Sequence, residues 1–194
     1  MSNILLIDNM DSFTYNLVDL LRIQNHTVKI FRNYISIQII TKKLSQMNNP
    51  ILIFSPGPGS PHNAGNMPRL IKEFKGHIPM VGICLGHQAI IEAYGGTIQP
   101  VTHIIHGQAS QIQHDNQDMF KNLPNPLSVA RYHSLMCDIL PHGFVVTASY
   151  QNMIMSIKNK NDRVCSFQFH PESILTKYGS ILLKQTILWL KNNY

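Results

Sequence analysis

Short apolar runs and helically spaced apolar positions alternate through the first half of the chain. Residues 3–8 form an apolar run closed by a turn signal. Behind it Phe13, Leu17, Leu20, Leu21 and Gln24 recur at helical spacing, with Asp11 and Ser12 placed as N-caps. The pairing repeats as a strand over 27–31 and a helix over 35–47, then a buried strand over 51–54 and, past a Gly/Pro-rich loop, a helix over 67–74. A further buried strand at 80–83 leads into a helix from about residue 86 to 94, stopped by Gly95 and Gly96. Such alternation predicts a central, mostly parallel sheet with helices on both faces. The second half differs: residues 127–130, 144–148, 153–157 and 164–169 are strand-like with few helices between them, which predicts antiparallel additions to the sheet. A last helix over about 178–191, with Ile181, Leu182, Gln185, Leu188 and Trp189 as its inward face, closes what reads as one α/β domain spanning 1–194.

Composition narrows the class. With 194 residues and 44% hydrophobic content the chain can bury one substantial core. No stretch approaches the roughly 20 apolar residues of a membrane helix, and the apolar run at 4–7 is too short for a signal peptide, so a cytoplasmic protein without membrane association is expected. Cys84, Cys137 and Cys165 are odd in number and lack C-x-x-C spacing, against a disulfide framework or a thiolate metal site. The formal charge of +6 is scattered, with no basic run beyond Lys42-Lys43 and no aromatic platform; it suits an acidic protein partner better than nucleic acid.

The segment Gly82-Ile83-Cys84-Leu85-Gly86 sets a cysteine between a buried strand and a helix, with glycine two residues away on each side. A sharp strand-to-helix turn strains the nucleophile and needs small neighbours, as in the analogous serine turn, and the helix N-terminus favours a thiolate. Cys137 and Cys165 lack such surroundings and read as packing residues. Among ten histidines His170 is the candidate base: it ends an apparent strand, and Glu172 two residues on can orient its imidazole. The loop Ser55-Pro56-Gly57-Pro58-Gly59 also follows a parallel strand, where backbone N–H groups can approach a ligand; it lacks the endings of a phosphate loop.

Taken in order, Ser55-Pro56-Gly57-Pro58-Gly59, Gly82-Ile83-Cys84-Leu85-Gly86-His87-Gln88 and Phe169-His170-Pro171-Glu172-Ser173 resemble the class I, triad-type glutamine amidotransferases, which have a flavodoxin-like fold. The opening from Asp8 to Leu17 and Arg131-Tyr132-His133-Ser134-Leu135 are similar to the chorismate-linked branch, and the resemblance to the anthranilate synthase component II proteins runs end to end. It implies Cys84 as nucleophile, His170 as base then acid, Glu172 as orienting carboxylate, and the N–H groups of Gly57 and Leu85 as oxyanion hole. Gly57, Pro58, Gly59, Gln88, Ser134 and Leu135 match positions that hold glutamine. It further implies a heteromer with anthranilate synthase component I, which binds magnesium and makes anthranilate from chorismate, and no cofactor or metal in this chain. Service to aminodeoxychorismate synthase, alone or shared, is an alternative within the same chemistry; a non-catalytic binding subunit is one outside it, and the complete triad set argues against that. The chain departs from the family at Met10 and at Gln108, where lysine is usual; the missing charge bears on the partner-facing surface.

Overall fold

The computed structural model describes residues 1–101 and 107–192. The first half follows the alternating pattern closely: β1 (Asn3–Asp8), α1 (Thr14–Ile23), β2 (Thr27–Arg32), α2 (Ile37–Ser45), β3 (Pro50–Phe54), α3 (Met67–Phe74), β4 (Met80–Ile83) and α4 (Leu85–Ala93). The second half contributes β5 (Thr97–Pro100), β6 (Gln108–His114), β7 (Leu127–Arg131), β8 (Leu135–Ile139), β9 (Val145–Tyr150), β10 (Met153–Asn159), β11 (Val164–Phe167) and α5 (Gly179–Asn192).

Among the described residues one nine-stranded sheet runs β2-β1-β3-β4-β11-β10-β9-β6-β7, and β5 pairs with β8 in a separate ribbon. From β2 to β11 neighbouring strands are parallel, the doubly wound order of flavodoxin-like folds. From β11 outward through β10, β9, β6 and β7 they are antiparallel, as the second-half pattern predicts. Successive side chains of a strand point to opposite faces, so each parallel strand feeds two cores. Ile4 and Leu6 pack with Leu17 and Leu21 of α1 and with Leu182 and Leu190 of α5. Leu5 and Ile7 pack on the other face with Ile40 of α2, Leu70 of α3 and Ile90 of α4. Burial on both faces explains why β1, β3 and β4 read as unbroken apolar runs rather than alternating ones.

Two expectations need correction. Asp11 and Ser12 do not cap α1: Phe13 occupies the N-cap without a side-chain bond, and the Asp11 carboxylate accepts from the Phe13 N–H at 2.7 Å, closing a turn ahead of the helix. The inward face of α5 is Leu182, Leu183, Thr186, Ile187, Trp189 and Leu190, while Ile181 and Leu188 are exposed. Both faces of that helix are rich in apolar residues, so periodicity alone does not set its phase. Gly95 does stop α4 as expected, with φ of +91°.

Candidate active site

The turn between β4 and α4 places Cys84 at the carboxyl edge of the parallel sheet, where doubly wound folds hold their ligands. Cys84 has φ of +51° and ψ of −100°, a conformation few side chains adopt. The flanking glycines allow it. A Cβ on Gly82 would lie 2.5 Å from the Gly86 carbonyl oxygen, and one on Gly86 would strike the Phe54 carbonyl of β3. Gly86→Ala is therefore expected to destabilise the protein by about 1–3 kcal/mol and to disturb the turn, as measured by urea unfolding beside thiol reactivity.

Cys84 donates its N–H to the Phe167 carbonyl at 2.8 Å, continuing the β4–β11 register in which Ile83 pairs with Phe167. The continuation of β11 carries His170 to the same sheet edge. Its backbone is held from two sides: the His170 N–H donates to Ala130 O at 3.0 Å, and the Thr176 hydroxyl donates to His170 O at 2.6 Å. The ring meets Tyr132 edge-on at 5.1 Å and Phe13 at 6.3 Å. Asp8 anchors the loop that carries Phe13, pairing with Arg32 at 2.8 Å and accepting from the Met10 N–H and the Thr14 hydroxyl.

His170 Nδ1 lies 2.6 Å from Glu172 Oε1, and both side chains are buried. Burial alone would lower the imidazole pKa; the Cys84 thiol and the Glu172 carboxylate outweigh it and carry it well above the ordinary histidine value. His170 Nε2 has no hydrogen-bond partner among the described residues. Cys137 and Cys165 are also buried, and desolvation raises both thiol pKa values, that of Cys137 to about 11.

Gly57, Pro58, Gly59, Cys84, Gln88, Tyr132, His133, Ser134 and Leu135 line one cleft of about 130 Å³, room for a small molecule and not for a polymer. Every position that the resemblance assigns to glutamine lies on it. A Cβ at Gly57 would approach within 2.8 Å of the Leu85 side chain, so the two segments expected to supply oxyanion donors are neighbours. Leu85 opens α4, where N–H groups have no partner within the helix. A roomier cleft of about 460 Å³, lined by Ile23, His26, Lys184 and Leu188 among others, has neither thiol nor carboxylate.

The structure gives further residues definite contacts, of which Gln168 lies outside the motifs quoted above. Arg131 is buried and no carboxylate reaches it among the described residues; it donates from Nε to His133 Nε2 at 3.1 Å and lies over the Tyr150 ring at 4.5 Å. The other His133 nitrogen, Nδ1, faces the Leu135 carbonyl at 2.9 Å. A donor on one side and an acceptor on the other fix the ring as the neutral Nδ1–H tautomer. Burial, with the Arg131 charge beside it, lowers its pKa to about 4. Gln88 Nε2 also reaches Leu135 O at 3.2 Å and Gln168 Oε1 at 3.3 Å, and Gln168 Nε2 stands 3.9 Å from Cys84 Sγ. Met10 is exposed with φ of +61°. His106 and the Gln108 side chain lie outside the described residues.

A thiol on a strained turn, beside a buried imidazole–carboxylate pair and a small cleft at the sheet edge, is the arrangement of thiol-dependent acyl-transfer enzymes. Residues 5–189 match the class-I glutamine amidotransferase model, and the chain belongs to that family of enzymes. It is 52% identical over 195 residues to anthranilate synthase component 2 of Vibrio parahaemolyticus, covering all of both chains. It is 56% identical over 194 residues to anthranilate synthase component 2 of Buchnera aphidicola subsp. Schizaphis graminum, covering 100% of this chain and 99% of that one. A solved structure of a candidate GMP synthase subunit from Thermoplasma acidophilum superposes with a TM-score of 0.86 at 24% identity, covering 99% of this chain and 95% of the other, a likeness of fold.

Proposed function

We propose that this chain is the glutaminase subunit of an anthranilate synthase, hydrolysing glutamine through Cys84, His170 and Glu172 and passing the ammonia to a synthase partner. The observation that carries the reading is the buried 2.6 Å His170–Glu172 bond beside the strained Cys84 turn, with Cys84 lining a small cleft. Cys84 thiolate attacks the side-chain carboxamide carbon of glutamine. The Gly57 and Leu85 N–H groups receive the oxyanion as it develops, while Gly59, Gln88, Ser134 and Leu135 hold the amino-acid end. His170 enters protonated and gives that proton to the departing nitrogen, so ammonia leaves and a glutamyl thioester remains. Neutral His170 then takes a proton from water as it attacks the thioester; glutamate departs and the thiolate–imidazolium pair returns. Glu172 keeps the imidazole in the orientation that both steps need.

Ammonia released to solvent would be protonated and lose its nucleophilicity, so the product has to reach its acceptor through protein. The relatives' shared name, anthranilate synthase component 2, supports component I as that partner and chorismate as the acceptor, in tryptophan biosynthesis. No metal or cofactor of this chain enters these steps, and the cytoplasm is the assigned compartment. The test is to mix the purified chain with anthranilate synthase component I, chorismate and glutamine, and in parallel with component I of aminodeoxychorismate synthase. Anthranilate from the first mixture alone is expected. Activity in both would make the glutaminase a shared one, and activity only in the second would replace the tryptophan assignment.

A further inference from the structure

Gln168 sits two residues before His170, and its side chain is fully buried. A buried carboxamide satisfies its groups in a definite direction, and here the direction is set from a distance. The Leu135 carbonyl can only accept, so the Gln88 side chain must present its nitrogen there, at 3.2 Å. The same nitrogen lies 3.3 Å from the Gln168 side chain, which must answer with its oxygen. That leaves the Gln168 nitrogen facing Cys84 Sγ, at 3.9 Å. His133 secures the origin of the chain, because its Nδ1–H also donates to Leu135 O while Arg131 holds its other nitrogen.

We infer that Gln168 is a further catalytic residue: its side-chain N–H, aimed by Gln88 and the Leu135 carbonyl, donates to Cys84 sulfur and stabilises the thiolate. A carboxamide N–H offers little to a neutral thiol and far more to an anion, so the bond favours the attacking form. It is long at rest, as such bonds often are before substrate is bound, and the sulfur's negative charge shortens it. Gln168 thus complements His170 from another direction: the imidazole supplies the charge and the proton, and the amide supplies a fixed donor that cannot leave with the ammonia. Gln88, matched by the family resemblance to glutamine binding, has in addition the task of orienting Gln168.

The inference rests on Cys84 being the nucleophile, so Cys84→Ser is run beside the Gln168 variants and also provides the blank for alkylation of other thiols. Gln168→Leu should lower the iodoacetamide alkylation rate of Cys84 at pH 7 by about tenfold and displace its pH dependence upward by about one unit. Glutaminase kcat should fall while KM for glutamine stays within about twofold. Gln168→Glu keeps the shape and sets a carboxylate against the sulfur, so it should alkylate more slowly still at neutral pH, with its pH dependence displaced further upward than in Gln168→Leu. Ammonia-dependent synthesis with the partner reports folding, and if the leucine variant fails it, the glutamate variant is read alone. Alkylation at the wild-type rate and pH dependence, or a loss confined to KM, would overturn the role. Glutaminase activity surviving in Cys84→Ser would instead overturn the nucleophile assignment beneath it.

Discussion

Cys84→Ala is expected to abolish glutamine-dependent synthesis while leaving the partner's ammonia-dependent synthesis intact. Alanine keeps the backbone and the Cβ, so the turn between Gly82 and Gly86 retains its shape and only the sulfur is lost. Removal of a sole nucleophile from a triad costs on the order of 10⁶ in kcat elsewhere, which here means loss to background. The thiol also raises the pKa of His170, so the imidazole should titrate at lower pH in the variant than in the wild type, visible by NMR. Glutamine-dependent activity within a few fold of wild type would end the proposed mechanism. Simultaneous loss of the ammonia-dependent reaction would show that the complex itself had failed.

Glu172→Gln should reduce glutaminase kcat by roughly 10²–10⁴-fold with little change in KM. The carboxamide is nearly isosteric and preserves a contact to His170 Nδ1, but it removes the charge that helps hold the imidazole protonated. Burial, which acts in the opposite sense, is then opposed by the Cys84 sulfur without the carboxylate's charge, and His170 should titrate lower than in the wild type. The stability consequence has a definite sign. Because the folded-state pKa of His170 is raised, its protonation adds stability that is complete below about pH 6.5 and fades as the pH climbs through the raised value. The stability gap between wild type and Glu172→Gln should therefore be widest in mildly acidic solution and narrow towards alkaline pH, in urea titrations at several pH values. A gap independent of pH would mean that Glu172 serves packing rather than charge.

The parts of the fold that were legible in the sequence are those where burial leaves a simple signature. The doubly buried strands β1, β3 and β4 are continuous apolar runs, and the periodicity of α3 matches its observed bounds. Strands β5, β6 and β8 escaped notice for the converse reason. Residues 97–100 are largely exposed, residues 108–114 carry little beyond Ile112 that is apolar and large, and residues 135–139 are buried only at Cys137. Their pairing depends on partners far along the chain, which local patterning does not register. The site divides in the same way. Cys84, His170, Glu172 and the glycine loop stand in short contiguous motifs that a local reading can find. The closeness of Gln168 to Cys84 comes from the β4–β11 register, and the closeness of Tyr132 and Phe13 to His170 from loops far apart in the sequence.

The distance between nucleophile and base is a property of sheet register. Cys84 is tied to Phe167 by a continuation of the β4–β11 ladder, and His170 is tied to Ala130 by a backbone bond at the end of β7. Shifting one against the other would break hydrogen bonds in the most buried part of the molecule. Cys84 and His170 thus stand on a fixed chassis, and any tuning of turnover by a docked partner would fall to the parts of the cleft outside the sheet. Those are the glycine loop after β3 and the segment 132–134, which line the cleft from outside the strands.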